Sequence, residues 1–198
     1  NLTVSVTATA KQVKLWWPNG AGEQPLYNVS ASVGSSLTAD QADLRVATAV
    51  TAVRRIGFRS FALVTGGGTP PGEQGTLTNG MYFRVNGAAV FSKGANMIPM
   101  EEMEGRLRAD AHRTLVQSAA HAGMNTLRIW GGGIFMPGMW FDACDELGIM
   151  IYHDMMYPGH REHPPANTTD QELEVRHNVR RLSHHPSIVI WDGQNSDD

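Results

Sequence analysis

Four short apolar runs in the second half of this chain each lead into polar residues of kinds that handle hydroxyl groups. Val90 to Ala95 runs into Asn96, Thr126 to Trp130 carries Arg128 within it, Ile149 to His153 is followed by Asp154, and Ser187 to Trp191 leads on to Asn195 and Ser196. Asn, Arg, Asp and Ser supply hydrogen-bond donors and acceptors, and Trp130 and Trp191 supply aromatic faces. A sugar demands such a set: partners for its hydroxyls and a flat apolar surface for the C–H side of its ring. Each residue also has a plainer reading. Arg128 inside an apolar strand needs an acceptor whatever the protein does, both tryptophans suit core packing, and Asp154 suits capping of the segment after it.

Other constellations carry less chemistry. His153, His160 and His163, with the stretch from Arg181 to His185, suggest imidazole and carboxylate ligands, but there is no His-Glu-x-x-His helix and no cysteine pair. No metal is expected. The triple glycines at Gly66 to Gly68 and Gly131 to Gly133 do not fit a phosphate-cradling fingerprint, so no nucleotide and no other cofactor is expected either.

The elements that must position these residues change character along the chain. Up to residue 64, short alternating stretches (LTVSVTATA, LYNVSASV, LRVATAV, RSFALV) are separated by Pro, Gly, Asn and Asp clusters, which is the pattern of a small antiparallel sheet or sandwich. Thr65 to Gly75 is too rich in Gly and Pro for a helix or central strand and reads as an interdomain connection. Beyond it, the four apolar runs alternate with helical segments at about Ala109 to Ala122, Gly138 to Leu147, and Asp170 to Ser183, the last with Thr169 as N-cap. Gly123 and Gly148 stand where helix C-terminal glycines belong. Four strands alternating with helices make either half of a (β/α)8 barrel or a small doubly wound sheet. In the barrel reading the strand C-termini form the site, and a whole barrel needs about 250 residues.

The chain has 198 residues, 41% of them hydrophobic, and a formal net charge of -3. That allows one generous domain or two small ones, and with scattered basic residues it argues against a nucleic-acid partner. No apolar run reaches the roughly 18 residues that span a bilayer, so no membrane partner is expected. The single Cys144 cannot form an internal disulfide. Sequons at Asn1, Asn28 and Asn167 point toward a lysosomal or exterior route and leave the compartment otherwise open.

Six motifs, in order LWWPNGAGEQPLYNVSASV, RRIGFRSF, FRVNGAAVFSKGANMIP, GMNTLRIWGGGIFMP, FDACDELGIMIYHDMM and HHPSIVIWDGQN, resemble the signature run of β-mannosidases in glycoside hydrolase family 2. The resemblance implies an immunoglobulin-like β-sandwich over 1–64, a linker over 65–80, and the first half of a (β/α)8 catalytic barrel over 81–198. A sugar-binding-like domain would precede Asn1 and the rest of the barrel would follow Asp198. It also implies retaining hydrolysis of terminal β-D-mannosyl residues in the complete protein, which needs two carboxyl groups about 5 Å apart.

By the same resemblance the acid is a Glu directly after the strand-terminal Asn, here Asn195, and Ser196 stands in its place. A serine hydroxyl is too weak an acid for that role at neutral pH. The nucleophile belongs to a later strand. This chain alone is therefore expected to be inactive. Asp197 would face away if the strand continues, although relatives acting on glucosamine polymers use Asp as the acid. Residue by residue, Arg128 would fix the nucleophile or a substrate hydroxyl and Asn195 would bond the 2-hydroxyl. Trp130 and Asp154 would line the subsite that distinguishes mannose, while Asn96 and Trp191 would line or support its wall. The competing expectation is a non-catalytic carbohydrate-binding relative.

Overall fold

The structure is a computed structural model and describes residues 5–9, 11–33, 50–65, 81–101, 103–159 and 168–195. Ser196, Asp197, His160, His163, the sequons at Asn1 and Asn167, and nearly all of the Gly/Pro-rich stretch lie outside the described residues. No helix among them is long and apolar enough to cross a membrane.

Up to Val90 the strand pairing is antiparallel. Strands β1 (Tyr27–Val33) and β2 (Val50–Ile56) form one ladder, and β3 (Phe61–Thr65), β4 (Met81–Val85) and β5 (Ala88–Val90) form a three-stranded sheet in that order. Residues 5–9 of LTVSVTATA form no strand. The β4–β5 turn is Asn86-Gly87 with φ of 51° and 85°, the left-handed pair that a two-residue hairpin requires. Because β3 and β4 pair with each other, their sheet runs across the boundary expected between 64 and 81.

The expected strand from Val90 to Ala95 is split. β5 stops at Val90 and β6 (Gly94–Met97) opens a different sheet. Asn125 makes the break: its amide donates to the Phe91 carbonyl (3.0 Å) and its carboxamide oxygen accepts from the Lys93 N–H (2.8 Å). Strands β7 (Thr126–Ile129), β8 (Met150–Asp154) and β9 (Ile188–Asp192) follow β6 in a four-stranded, wholly parallel sheet of order β6-β7-β8-β9. Helices α1 (Ala109–His121), α2 (Gly138–Leu147) and α3 (Thr169–Leu182) are the crossovers.

Alternation along the strands sorts their residues between two faces. One face contributes Leu127, Ile129 and Ile151 to a core shared with Val116 and Ala119 of α1, Trp140, Phe141 and Cys144 of α2, and Leu182 of α3. All three helices thus share one face. The other carries Asn96, Arg128 and Tyr152, which are register partners across β6, β7 and β8, with Asp154 opposite Asp192 at the strand ends. Doubly wound sheets reverse their strand order and cover both faces. Sequential order with helices on one side is the singly wound alternative.

The antiparallel sheets dock on the opposite, N-terminal end of the parallel strands. Trp16 is fully buried, and its indole N–H donates to the Asp145 carbonyl at 2.7 Å. The Asn19 side chain donates to the Ala120 (3.0 Å) and Met124 (2.9 Å) carbonyls at and just beyond the C-terminal end of α1. Glu146 accepts from Arg55 of β2 and Arg113 of α1, each at 2.6 Å.

Candidate functional site

Where the four parallel strands end, polar side chains converge on one guanidinium. Arg128 donates from Nε to Asp154 Oδ1 (3.1 Å) and from Nη2 to Asp154 Oδ2 (2.7 Å), a two-pronged pairing. Nη2 also reaches Asn195 Oδ1 at 2.8 Å, and Nη1 reaches Asn96 Oδ1 at 3.4 Å. One residue from each of the four strands or its exit therefore meets in a single cluster. Asn195 is fixed in turn by its amide donating to the Pro158 carbonyl at 2.8 Å.

Asp154 is fully buried and also accepts from the Gly131 backbone N–H at 3.1 Å. Burial raises its pKa above the ordinary carboxylate value, against the opposing pull of Arg128 and the Gly131 N–H. Gly131 has to be glycine: a Cβ there would lie 2.5 Å from the Tyr157 carbonyl oxygen and 2.7 Å from that of Met155. The loop after β7 can close over the end of β8 only without that atom.

Two residues of the cluster went unread in the sequence. The Tyr152 ring lies under the guanidinium, with Arg128 Cζ 5.5 Å from its centroid, and its hydroxyl donates to Asp192. That hydrogen bond, with burial, pushes the Tyr152 pKa up to about 12. The signal was available, since Tyr152 lies two residues before Asp154 and so on the same face.

The tryptophans divide. Trp130 follows β7, its backbone N–H donating to the Met97 carbonyl at 3.2 Å. Its half-buried ring lies over Gly132, where a Cβ would come within 2.0 Å of it. Trp191 sits on the helix face, its ring 4.9 Å from that of the buried His153. Trp191 therefore supports the wall of the sheet, because its position in β9 has the parity of His153 and not of Tyr152. Ser196 lies outside the described residues.

At the base of the sheet, Asp142, Asp145 and His185 bring possible metal-ligand atoms within 4.8 Å of one another. Each already has a partner. Asp145 accepts from the Ser187 N–H (3.1 Å) and pairs with His185 Nδ1 (2.7 Å), and Asp142 pairs with Arg55 at 3.1 Å. These contacts fasten α2 to the start of β9 and to β2.

Comparison with known proteins gives the arrangement its class. Solved structures with a similar fold include glycosidases. The β-D-mannosidase of Dictyoglomus thermophilum matches with a TM-score of 0.73 and 32% identity over 92% of this chain and 21% of that one. The exo-chitosanase CsxA of Amycolatopsis orientalis matches with a TM-score of 0.63 and 19% identity over 91% and 20%, a likeness of fold alone. No protein-family model matches. Among curated proteins, the β-mannosidase of Mus musculus is 36% identical over 188 residues, 94% of this chain and 20% of that protein. The β-mannosidase B of Neosartorya fischeri is 35% identical over 199 residues, 100% and 22% respectively. The chain is β-mannosidase-like, of glycoside hydrolase family 2 type, and it spans about a fifth of the length of the curated relatives it matches.

Proposed function

We propose that this chain supplies one wall of the glycone subsite of a retaining β-mannosidase. Its β6 to β9 sheet would be the first half of a (β/α)8 catalytic barrel and its antiparallel sheets part of an immunoglobulin-like sandwich. The observation that carries the reading is the clasp on Arg128 by Asp154, Asn195 and Asn96 at the C-terminal strand ends, where barrel enzymes place their chemistry. Sequential strand order with all helices on one face supports the barrel over a doubly wound sheet.

In this reading the cluster binds and orients and does not itself transfer protons. Asp154 is held on both oxygens by Arg128, and Asp192 is held by Tyr152. Neither is placed as a free nucleophile. Arg128 keeps an edge for a sugar hydroxyl or for a carboxylate from a later strand, Asn195 serves the 2-hydroxyl, and Trp130 offers an aromatic side. Acid catalysis would fall to the residue after Asn195. With Ser196 in that place, the leaving oxygen has no donor of suitable acidity, and double displacement lacks one of its two carboxyl groups.

A chimera tests this directly. The 198 residues replace the matching fifth of the Dictyoglomus thermophilum enzyme, and hydrolysis of an aryl β-mannoside is followed. The expected outcome is background turnover for the chimera and for the isolated chain, and a rise of at least about a hundredfold, the usual worth of a general acid, in the Ser196→Glu chimera. A Ser196→Glu chimera that folds, binds a mannose-configured inhibitor and stays inactive would favour the non-catalytic carbohydrate-binding reading. Failure of the folded chimera to bind any sugar would overturn both.

A further inference from the structure

Away from the Arg128 cluster, where β1 and β2 face α2 and α3, there is a cleft of about 670 Å³. Three guanidinium groups, of Arg54, Arg55 and Arg181, and the imidazoles of His184 and His185 face it against one carboxylate, Asp142. This is a concentration of positive charge in a chain whose formal net charge is -3.

The one carboxylate is committed. Asp142 pairs with Arg55 at 3.1 Å, and the other arm of Arg55 pairs with Glu146 at 2.6 Å. His185 is committed as well, to the buried Asp145 at 2.7 Å. Arg54 and Arg181 differ. Arg54 donates only to the carbonyl of its neighbour Val53, at 2.9 Å. Arg181 donates to the Met136 carbonyl (3.1 Å) and to Asn178 Oδ1 (3.0 Å). All these acceptors are neutral, and among the described residues neither guanidinium meets a carboxylate. Burial pushes the Arg181 pKa down. The His184 pKa is lowered first by burial and then by its neighbours His185 and Arg54, against the opposing pull of Asp145.

Arg181, partly buried with only neutral acceptors, keeps most of its attraction for an anion, because that attraction strengthens as water is excluded, and the exposed Arg54 stands at the mouth of the same cleft. The planar fork of arginine matches two oxygens of a phosphate or sulfate group at once. We infer that this cleft binds an oxyanion carried as a phosphate or sulfate monoester, with Arg54 and Arg181 as its charged contacts and Asn28 and His184 beside them. The volume falls within the roughly 300–1,000 Å³ of small-ligand sites, so a sugar-sized group bearing the ester fits. The site is at the sheet junction and independent of the mannoside reading.

The test titrates the full 198-residue chain at low ionic strength with inorganic phosphate, glucose 6-phosphate and glucose, read by ³¹P line broadening and by thermal shift. Both phosphates are expected to bind and to raise Tm, and glucose is not. Tighter binding of the ester than of inorganic phosphate identifies a sugar-borne anion, and equal binding a free one. Arg54→Gln, at an exposed position, should weaken binding about tenfold or more, as loss of a charged hydrogen bond does, and Arg54→Lys should recover part of it. No response of the folded wild-type chain to phosphate, an equal response to glucose, or unchanged phosphate binding in Arg54→Gln would each overturn the inference.

Discussion

Arg128 holds its place because Asp154, fully buried, leaves it no other stable arrangement. Removing one partner of such a pair strands the other charge, which typically costs about 3–5 kcal/mol, so the clasp holds its own geometry. Asn96, Arg128, Asp154 and Asn195 were legible in the sequence because each interrupts or directly follows an apolar run. Tyr152 and Asp192 were not, because they sit inside runs and only strand parity assigns them to the site. Trp191 also sits inside a run, and its parity with His153 puts it on the helix face, in the supporting place that was one of its two expected roles. Next to it, His153 is fully buried between Phe141 and Trp191, and burial lowers its pKa from 6.5 to about 4. Between those values the unfolded chain binds a proton on this ring that the folded chain refuses. Its contribution is therefore intact above about pH 6.5 and is lost as pH falls toward 4, in all about 3 kcal/mol. Urea unfolding at about pH 7 and about pH 5 should show the wild-type chain losing roughly 2 kcal/mol more than His153→Gln does. Identical pH dependence in the two would mean that the ring titrates normally.

At the scale of elements, local signals read well where they were local. The helix at Gly138–Leu147 has its expected bounds, and Gly123 and Gly148 have the left-handed φ of 79° and 72° that ends a helix without strain. The cap of α3 is Thr168, not Thr169, because the Thr168 hydroxyl is the one placed to accept from the Gln171 N–H at 3.3 Å. The split between β5 and β6 was illegible, since the residue that enforces it, Asn125, lies beyond α1. The two glycines allow a controlled comparison. At Gly123 nothing stands within 4 Å of an added Cβ, whereas at Gly148 that atom would lie 2.5 Å from the Asn19 backbone nitrogen. Gly123→Ala should cost only the backbone penalty of about 1–2 kcal/mol. Gly148→Ala should cost that plus about 1–3 kcal/mol of overpacking, because the Asn19 N–H to Gly148 carbonyl bond of 2.7 Å has to give way. Equal losses in chemical denaturation would show that the LWWPNG segment yields freely and does not grip α1 and α2.

For the whole molecule, the two ends of the parallel sheet have different tasks. The N-terminal end is stitched to the antiparallel sheets through Trp16, Asn19, Glu146 and Arg59, whose guanidinium donates to the Pro186 carbonyl at 2.7 Å, and the C-terminal end carries the site. The sides of the sheet are less well finished. Among the described residues β6 pairs with β7 alone, and beside it a groove of about 290 Å³ is lined largely by Ala95, Met97, Leu115, Ala119, Met124 and Leu127. Phe91, in the segment leading into β6, is 82% exposed, and Ile98, directly after β6, is 61% exposed. Among the described residues nothing covers this edge, and an unpaired strand flanked by apolar side chains is a template for association. The 198-residue chain in solution should therefore self-associate at micromolar concentrations, with light scattering after gel filtration giving a mass above that of one chain. Phe91→Lys and Ile98→Lys together place charge on the edge, the means by which natural edge strands avoid pairing, and should shift the chain toward monomer with no loss of thermal stability. If the wild-type chain instead runs as a monodisperse monomer that melts cooperatively, its β6 edge is already satisfied, and the half-barrel reading of the sheet loses its main physical consequence.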